Sequence, residues 1–329
     1  MKIGIYTIHA HNNYGAMFQA YATQKTLEDL GHEVELVNVF TKLEEFENEY
    51  NILSINPKQF ISFFYAKWTP RIQLKFKRFR TFHENMKLSK RFYTIEELYL
   101  NPPKYDIHVV GSDQVWNLER GFLLKNYYFL DFLSNNDVKI AFASSFGTNE
   151  ILDIYQDKLK SLLSSFKSIA VREDEGVRII EKATGILATQ VLDPTFLLDQ
   201  HEWIKLDIKK PLVKGEYIFC YGVDGSKKSK DLIESIKERL NLPIVAVSVS
   251  IFFPFKVDHF IQEAGPIEFI NLIRNSKFVI SSSFHGILFA IHFRKSFFST
   301  KHPTRNSRMF TILNKLNLTH KQLDYPKEL

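Results

Sequence analysis

The chain has a single cysteine, Cys220, in 329 residues, so no disulfide can form within it. A lone thiol suits a reducing compartment. Cys220 lies in the apolar run Tyr217 to Tyr221 and reads as core rather than as a nucleophile. Long apolar runs are also missing. The most apolar helix-like stretch, Ile287 to Phe293, is too short to cross a bilayer and is interrupted by His292. The opening, Met1 to Tyr6, reads as a strand rather than a signal peptide, because it lacks both an apolar region of signal length and a cleavage site. These absences predict a cytoplasmic protein, peripheral at the inner face of the membrane if it meets one. The P-loop, the GxGxxG fingerprint and the GxSxG elbow are absent too. His9, His11, His83 and His292 share no metal-ligand spacing, so no metal and no other cofactor is expected.

Charge of one sign is only slightly in excess. There are 43 Lys and Arg against 37 Asp and Glu, a formal charge of +6. That balance fits an anionic substrate or an anionic lipid surface. The basic residues form no long stripe outside residues 67 to 91, so nucleic acid is not an expected partner. Hydrophobic residues make up 45% of the chain, enough for a large core, and the length predicts about two domains.

What is present is alternation. Lys2 to Ile8 is a strand, His9 to Gly15 a polar loop, Ala16 to Leu30 a helix, and Val34 to Phe40 a second strand. This β-α-β unit is the mark of a parallel sheet. Strands resume at Asp106 to Val110, Lys139 to Ala143, Ser168 to Val171 and Gln190 to Leu192, with helices over Ile151 to Phe166 and Asp174 to Lys182. Residues 196 to 215 read as a connection, punctuated by Pro211 and Gly215. A second alternating set follows, with strands at Tyr217 to Val223, Ile244 to Ser248, Lys277 to Ile280 and Phe297-Phe298. Its helices are Lys228 to Leu240, Ile267 to Asn275, Ile287 to Phe293 and Arg308 to Leu316. The predicted fold class is α/β, with two Rossmann-like parallel-sheet domains facing a cleft. The expected domains are residues 1–200 and 201–329, with an insertion at about 42–100 and the last helix packing back on the first domain.

The insertion has an acidic patch, Glu44 to Glu49, then an aromatic and basic segment over residues 60–92. Two readings stand. Either helices bury an aromatic face and solvate a basic one, or the segment meets a membrane or a lipid-linked substrate.

Polar clusters fall at the ends of several strands. In a parallel sheet those ends share one edge, so the clusters converge. Asn12 and Asn13 precede Gly15, where a helix start lets an anion approach backbone N–H groups. Ser112 and Asp113 follow one strand; Asp113 is either a base or a cap. Ser144 and Ser145 follow another. Arg172 either grips a carboxylate or phosphate through two parallel bonds or pairs with Glu173 or Glu175. Ser283-Phe284-His285-Gly286 joins a strand to a helix, with an imidazole suited to proton transfer near neutral pH. In the plainer reading, Ser283 caps the helix and His285 packs locally.

Together these segments resemble the polysaccharide pyruvyl transferase family. The matching pieces run in the family's order: Asn12 to Ala16 with Gln19-Ala20-Tyr21, Val109 to Asn117, Ala143 to Gly147, Val171-Arg172-Glu173, Asp193-Pro194-Thr195, Gly265-Pro266 with Glu268-Phe269, and Ser283 to Gly286. The resemblance implies two Rossmann-like domains in the GT-B manner. It implies phosphoenolpyruvate as donor substrate and a sugar of a surface polysaccharide or lipid-linked oligosaccharide as acceptor, joined as a pyruvate ketal in bacterial capsule or exopolysaccharide synthesis. On that reading His285 carries a proton or holds phosphate, and Asp113 orients the acceptor or acts as base. Arg172 clamps the donor. Asn12, Asn13, Gly15, Ser112, Ser144, Ser145, Ser283 and Gly286 line the substrate sites. Relatives often carry Arg-Leu-His-Gly where this chain has Ser283-Phe284-His285-Gly286, so Arg305 or Arg308 is expected to supply the cation. Two other functions remain open: a GT-B-type glycosyltransferase using a nucleotide sugar, and a non-catalytic glycan-binding scaffold.

Overall fold

The computed structural model describes residues 1–10, 12–39, 69–118, 126–250, 252–300 and 307–323. The acidic patch, residues 60–68 of the aromatic segment, His11 and Arg305 lie outside them. The described chain divides into two compact units. One holds residues 1–10, 16–39, 83–118 and 126–197, and the other holds 12–15, 69–82 and the described part of 198–323.

The first unit contains six parallel strands, β1 (Lys2–Tyr6), β2 (Glu33–Leu36), β3 (Ile107–Val110), β4 (Lys139–Ser144), β5 (Phe166–Val171) and β6 (Thr189–Gln190), in the spatial order β2-β1-β3-β4-β5-β6. The central strands are apolar along their length because helices cover both faces of such a sheet. Ile3, Ile5, Val109 and Val110 are all buried. Stacking reverses direction between β1 and β3, which makes their carboxyl ends the switch point where α/β sheets place ligands.

The second unit has β7 (Ile218–Tyr221), β8 (Ile244–Val247), β9 (His259–Phe260), β10 (Phe278–Ser281), β11 (Ser296–Thr300) and β12 (Gln322–Leu323). They run parallel in the order β12-β11-β10-β7-β8-β9. Counted within the unit, this is the order of dinucleotide-binding sheets, with its switch point between β7 and β10. Cys220 is buried in β7, and burial pushes its thiol up.

The helices obey capping and dipole rules. Helix α1 (Tyr14–Asp29) starts two residues before the predicted Ala16, and α2 (Pro70–Glu84) and α3 (Ile95–Leu100) follow it. The predicted helix from Ile151 to Phe166 is shorter: a 3-10 turn at Asp153–Tyr155 leads into α4 (Gln156–Leu163), and Phe166 already opens β5. Helix α5 (Asp174–Thr184) has Asp174 and Glu175 in its first turn, Lys182 in its last, and Gly185 in the left-handed region at φ 73°. Helix α6 (Gln200–Lys205) interrupts the predicted connection, capped by Asp199, which accepts the Glu202 N–H at 2.9 Å. Helices α7 (Lys227–Leu240), α8 (Pro266–Asn275), α9 (Phe284–His292) and α10 (Ser307–Lys315) complete the second unit.

Helix α2 settles part of the reading of the basic segment. It buries Ile72, Lys75, Phe79 and Phe82, while Arg71, Lys77 and Arg80 are exposed. Lys75 is the exception among its cations. Its ammonium donates to the carbonyls of Ser248 at 2.6 Å and Val249 at 3.1 Å. Burial pulls its pKa from 10.5 down to about 7. The unfolded chain therefore holds more protons than the folded one between about pH 7 and 10.5, so this group makes stability rise with pH across that window. Lys75→Met should raise the urea midpoint most at pH 6, with its advantage shrinking as pH climbs through the window. Urea unfolding over a pH series checks this; an advantage independent of pH would be inconsistent with a buried ammonium.

Candidate functional site

In the first unit the structure gathers Ser112, Asp113, Ser144, Ser145 and Arg172 at the carboxyl edge of β3, β4 and β5. A bulge in β4 does much of this. The β4–β5 register shifts between Ala141 and Ser144, and Ala143 sits at φ 57°, a conformation that costs an alanine about 1 kcal/mol. The bulge turns the Ser144 hydroxyl onto the Gly111 carbonyl at 3.0 Å and brings the Ser145 N–H to the Asp113 carbonyl at 3.1 Å. Asp113 also has a positive φ, 70°, which aspartate tolerates better than most residues. Its carboxylate accepts the Gln114 N–H at 2.8 Å and is half-buried.

Arg172 is at the centre of this cluster and is 3% exposed. Its Nη1 donates to Asp193 Oδ2 at 2.7 Å and to the Ser112 hydroxyl at 3.3 Å, and its Nε lies 3.5 Å from Glu173 Oε1. Ser145 donates to the same Glu173 oxygen at 2.5 Å. Burial works against the guanidinium charge, but Asp193, Glu173 and Asp113 outweigh it and hold the group firmly protonated. The sequence expectation of a donor clamp therefore meets a guanidinium already engaged by buried carboxylates; the pairing with Glu173 was its stated alternative, and Asp193 was a motif residue with no assigned role.

In the second unit the strand ends of β7 and β10 meet at the switch point. Ser281 donates to the Tyr221 carbonyl at 2.5 Å, and Ser282 donates to that of Gly222. Ser283 caps α9, accepting the Gly286 N–H at 3.4 Å. Gly286 is required by close approach: a Cβ there would lie 2.4 Å from Ser281 Oγ and 3.1 Å from the Tyr221 ring. His285, 8% exposed, packs against Gly15, where a Cβ would fall 1.9 Å from Nδ1. Asn13 caps the start of α1 by accepting the Gly15 N–H at 2.9 Å, and Asn12 lies beside it, half-buried. Arg308, on α10, places its guanidinium 5.5 Å from the Phe284 ring centre, so a cation does reach the Ser283 to Gly286 segment.

Tyr14 had no role in the sequence reading. Its ring stacks on Phe269 at 4.4 Å, and its hydroxyl donates to the Ala264 carbonyl at 2.7 Å, which fixes the start of α1 within the second unit. The pairing of His9 with His83 was also missed. His9 Nε2 donates to the Val37 carbonyl at 3.2 Å, and His9 Nδ1 and His83 Nε2 share one proton across 2.9 Å. Burial, helped by Arg91, lowers the His83 pKa to about 4, which keeps that ring neutral. Among the described residues no group of three or more His, Cys, Asp or Glu is placed to hold a metal.

The sequence profile described as polysaccharide pyruvyl transferase matches residues 13–302, most of the chain. The chain belongs to the polysaccharide pyruvyl transferase family. That membership identifies it as a transferase of polysaccharide biosynthesis. No curated protein matches the sequence. Among solved structures, the Neisseria meningitidis UDP-GlcNAc 2-epimerase bound to UDP-GlcNAc is similar with a TM-score of 0.54 and 10% identity, over 98% of this chain and 86% of that one. The Rickettsia bellii UDP-N-acetylglucosamine 2-epimerase gives 0.51 and 10%, over 93% and 80%. The Methanocaldococcus jannaschii UDP-GlcNAc 2-epimerase gives 0.50 and 12%, over 98% and 88%. At these identities the likeness shows the fold alone: two parallel α/β domains of the GT-B type. Among the described residues no helix is long and apolar enough to cross a membrane.

Proposed function

We propose that the protein transfers a pyruvyl group from phosphoenolpyruvate to two hydroxyls of one sugar in a surface polysaccharide or lipid-linked oligosaccharide, forming a pyruvate ketal. The observation that carries this reading is His285 seated on Gly15 at the adjoining starts of α9 and α1, inside the span matched by the family. Two helix starts supply partial positive charge for the donor's carboxylate and phosphate. Arg308 supplies a cation next to the same segment.

The reaction needs a proton delivered to the methylene carbon of the donor, which places positive charge on the adjacent carbon. One sugar hydroxyl bonds to that carbon, the carbon–oxygen bond to phosphate breaks, and the second hydroxyl closes the ring. Of the two hydroxyl protons released, one balances the new methyl group and the other leaves on phosphate. In this reading His285 carries the proton, and Asp113, held at its strand end by Gln114 and Ser145, orients or deprotonates the acceptor. Arg172 is a positioning residue: it holds Asp193 and Glu173, and through Glu173 the Ser145 hydroxyl. Ser112 and Ser144 hold the backbone of the same edge. No cofactor takes part. The enzyme works in the cytoplasm, and the exposed basic face of α2, with Arg71, Lys77 and Arg80, is where an anionic membrane carrying a lipid-linked acceptor would be met.

A second reading has one observation in its favour. The strand order of the second unit is that of nucleotide-binding sheets, and one structural neighbour, the Neisseria meningitidis epimerase, is bound to UDP-GlcNAc. A nucleotide-sugar glycosyltransferase would use the same switch point. Calorimetric titration with phosphoenolpyruvate and with a panel of nucleotide sugars separates the two. The expected result is saturable phosphoenolpyruvate binding that weakens about tenfold to a hundredfold in His285→Ala, the cost of losing a hydrogen bond to a charged group. Binding of a nucleotide sugar with none of phosphoenolpyruvate would hand the site to the second reading.

A further inference from the structure

Lys75, on α2, is 3% exposed and has no part in the proposed chemistry. Two of its N–H groups are fixed on the carbonyls of Ser248 and Val249, at 2.6 and 3.1 Å. Those carbonyls lie just past the end of β8. Val247 of β8 pairs in register with Tyr221 of β7, and Tyr221 with Ser281 of β10. The ammonium therefore sits on the carboxyl edge of the second sheet, two strand spacings, about 10 Å, from the end of β10. Phe79, one turn along α2, packs on Tyr14 at 4.9 Å, and Tyr14 adjoins the Gly15 on which His285 rests.

An ammonium donates three hydrogen bonds. Among the described residues no acceptor takes the third, and no carboxylate pairs with the charge. The sequence accounts for the missing carboxylate: residues 239–257 contain no Asp or Glu, and α2 has none before Glu84. Asp258 is at the other end of β8, where it accepts the Ile244 N–H at 2.8 Å and pairs with Lys237. Glu268, on α8, is taken by Arg78. A buried cation without a counter-charge costs stability, which is why Lys75→Met is expected to stabilise the fold. A charge kept at that cost, on the edge where parallel sheets hold ligands, marks a binding group. In sheets of this order a side chain about 20 residues beyond the first strand's end meets the nucleotide: an acid there takes ribose hydroxyls, a cation takes a phosphate. Strand β8 follows β7 at that interval and ends on a cation.

We propose that Lys75 binds an anionic oxygen of the substrate, from phosphate or carboxylate, through its third N–H, deepening the pyruvyl-transfer reading on which it rests. The ligand then supplies the counter-charge that the described residues do not.

Lys75→Met and Lys75→Gln test it. Glutamine keeps donors for the two carbonyls and removes only the charge. Wild type and both variants are titrated at pH 6 with phosphoenolpyruvate, inorganic phosphate, pyruvate and a nucleotide sugar, and their urea midpoints are compared. Phosphoenolpyruvate affinity should fall about tenfold or more in both variants while neither midpoint drops. A parallel loss for inorganic phosphate assigns the N–H to the phosphate; a loss for pyruvate assigns it to the carboxylate. If wild type binds only the nucleotide sugar and both variants weaken that, the pyruvyl reading fails and Lys75 keeps its role. Affinity within about twofold of wild type for every anion that binds, or no anion bound by wild type, overturns the proposal and leaves Lys75 as a cap on β8. A loss confined to a variant whose midpoint has dropped counts against it in the same way.

Discussion

Arg172→Ala should unfold the first unit at urea concentrations that leave the wild type intact, with a loss of about 3–5 kcal/mol. The guanidinium lies among side chains that are almost fully buried: Asp193 at 0% and Glu173 at 3% side-chain exposure. Removing it leaves two carboxylates in a low-dielectric interior with one compensating cation gone. A domain with about 5–15 kcal/mol of total stability loses a large share in this way. The pH dependence separates this account from a packing defect. Without Arg172 the buried carboxylates stand without their counter-charge, a cost that grows with their ionisation. The deficit of Arg172→Ala should therefore narrow toward pH 4. Arg172→Lys should recover only part of the stability, because an ammonium cannot reach Asp193, Glu173 and Ser112 with one planar fork. A variant that folds like wild type but binds phosphoenolpyruvate weakly would restore Arg172 to the role of donor clamp.

The second large effect is expected at Gly15. Gly15→Ala should weaken phosphoenolpyruvate binding about tenfold to a hundredfold while the protein stays folded. A methyl group there falls 1.9 Å from His285 Nδ1 and within 2.4 Å of two ring carbons, so the imidazole must move. The ring is the movable partner, and alanine is the better helix former by about 1 kcal/mol, so the fold tolerates the change. Because the damage passes through one contact, it should not add to the loss of that contact's other side. Gly15→Ala combined with His285→Ala should bind no worse than His285→Ala alone. Additive losses in calorimetry would mean that the methyl group obstructs the ligand directly rather than through the imidazole.

Much of this arrangement is legible in the sequence. The alternation of apolar strands and helices gives both sheets, and small polar residues after strands point to the two switch points. The misses have physical causes. Strands β9 and β12 are two residues each, too short to show a period. Helix α6 was hidden behind Pro211 and Gly215, although Asp199 and Glu202 already had capping-box spacing. Lys75 was lost in a run of cations, yet Ile72, Lys75, Phe79 and Phe82 recur at helical spacing on one stripe, which marks Lys75 as facing inward. Arg172 was legible as important but not in its task. A strand-end arginine looks the same in sequence whether it meets a ligand or a carboxylate 21 residues further along the chain.

The second unit is not built from consecutive chain. Residues 12–15 and 69–82 pack with it although they precede most of the first unit in sequence. Tyr14 fills the face of Phe269, and Arg78 pairs with Glu268 at 3.0 Å and donates to the Glu263 carbonyl at 2.8 Å. A gene fragment starting near residue 198 would encode all of its strands and still be missing a stacked aromatic, an ion pair and the backbone on which His285 rests. The half that holds the His285 cluster therefore cannot be exchanged between relatives as a cassette. A recombinant that trades it has to bring along two short pieces from the front of the gene.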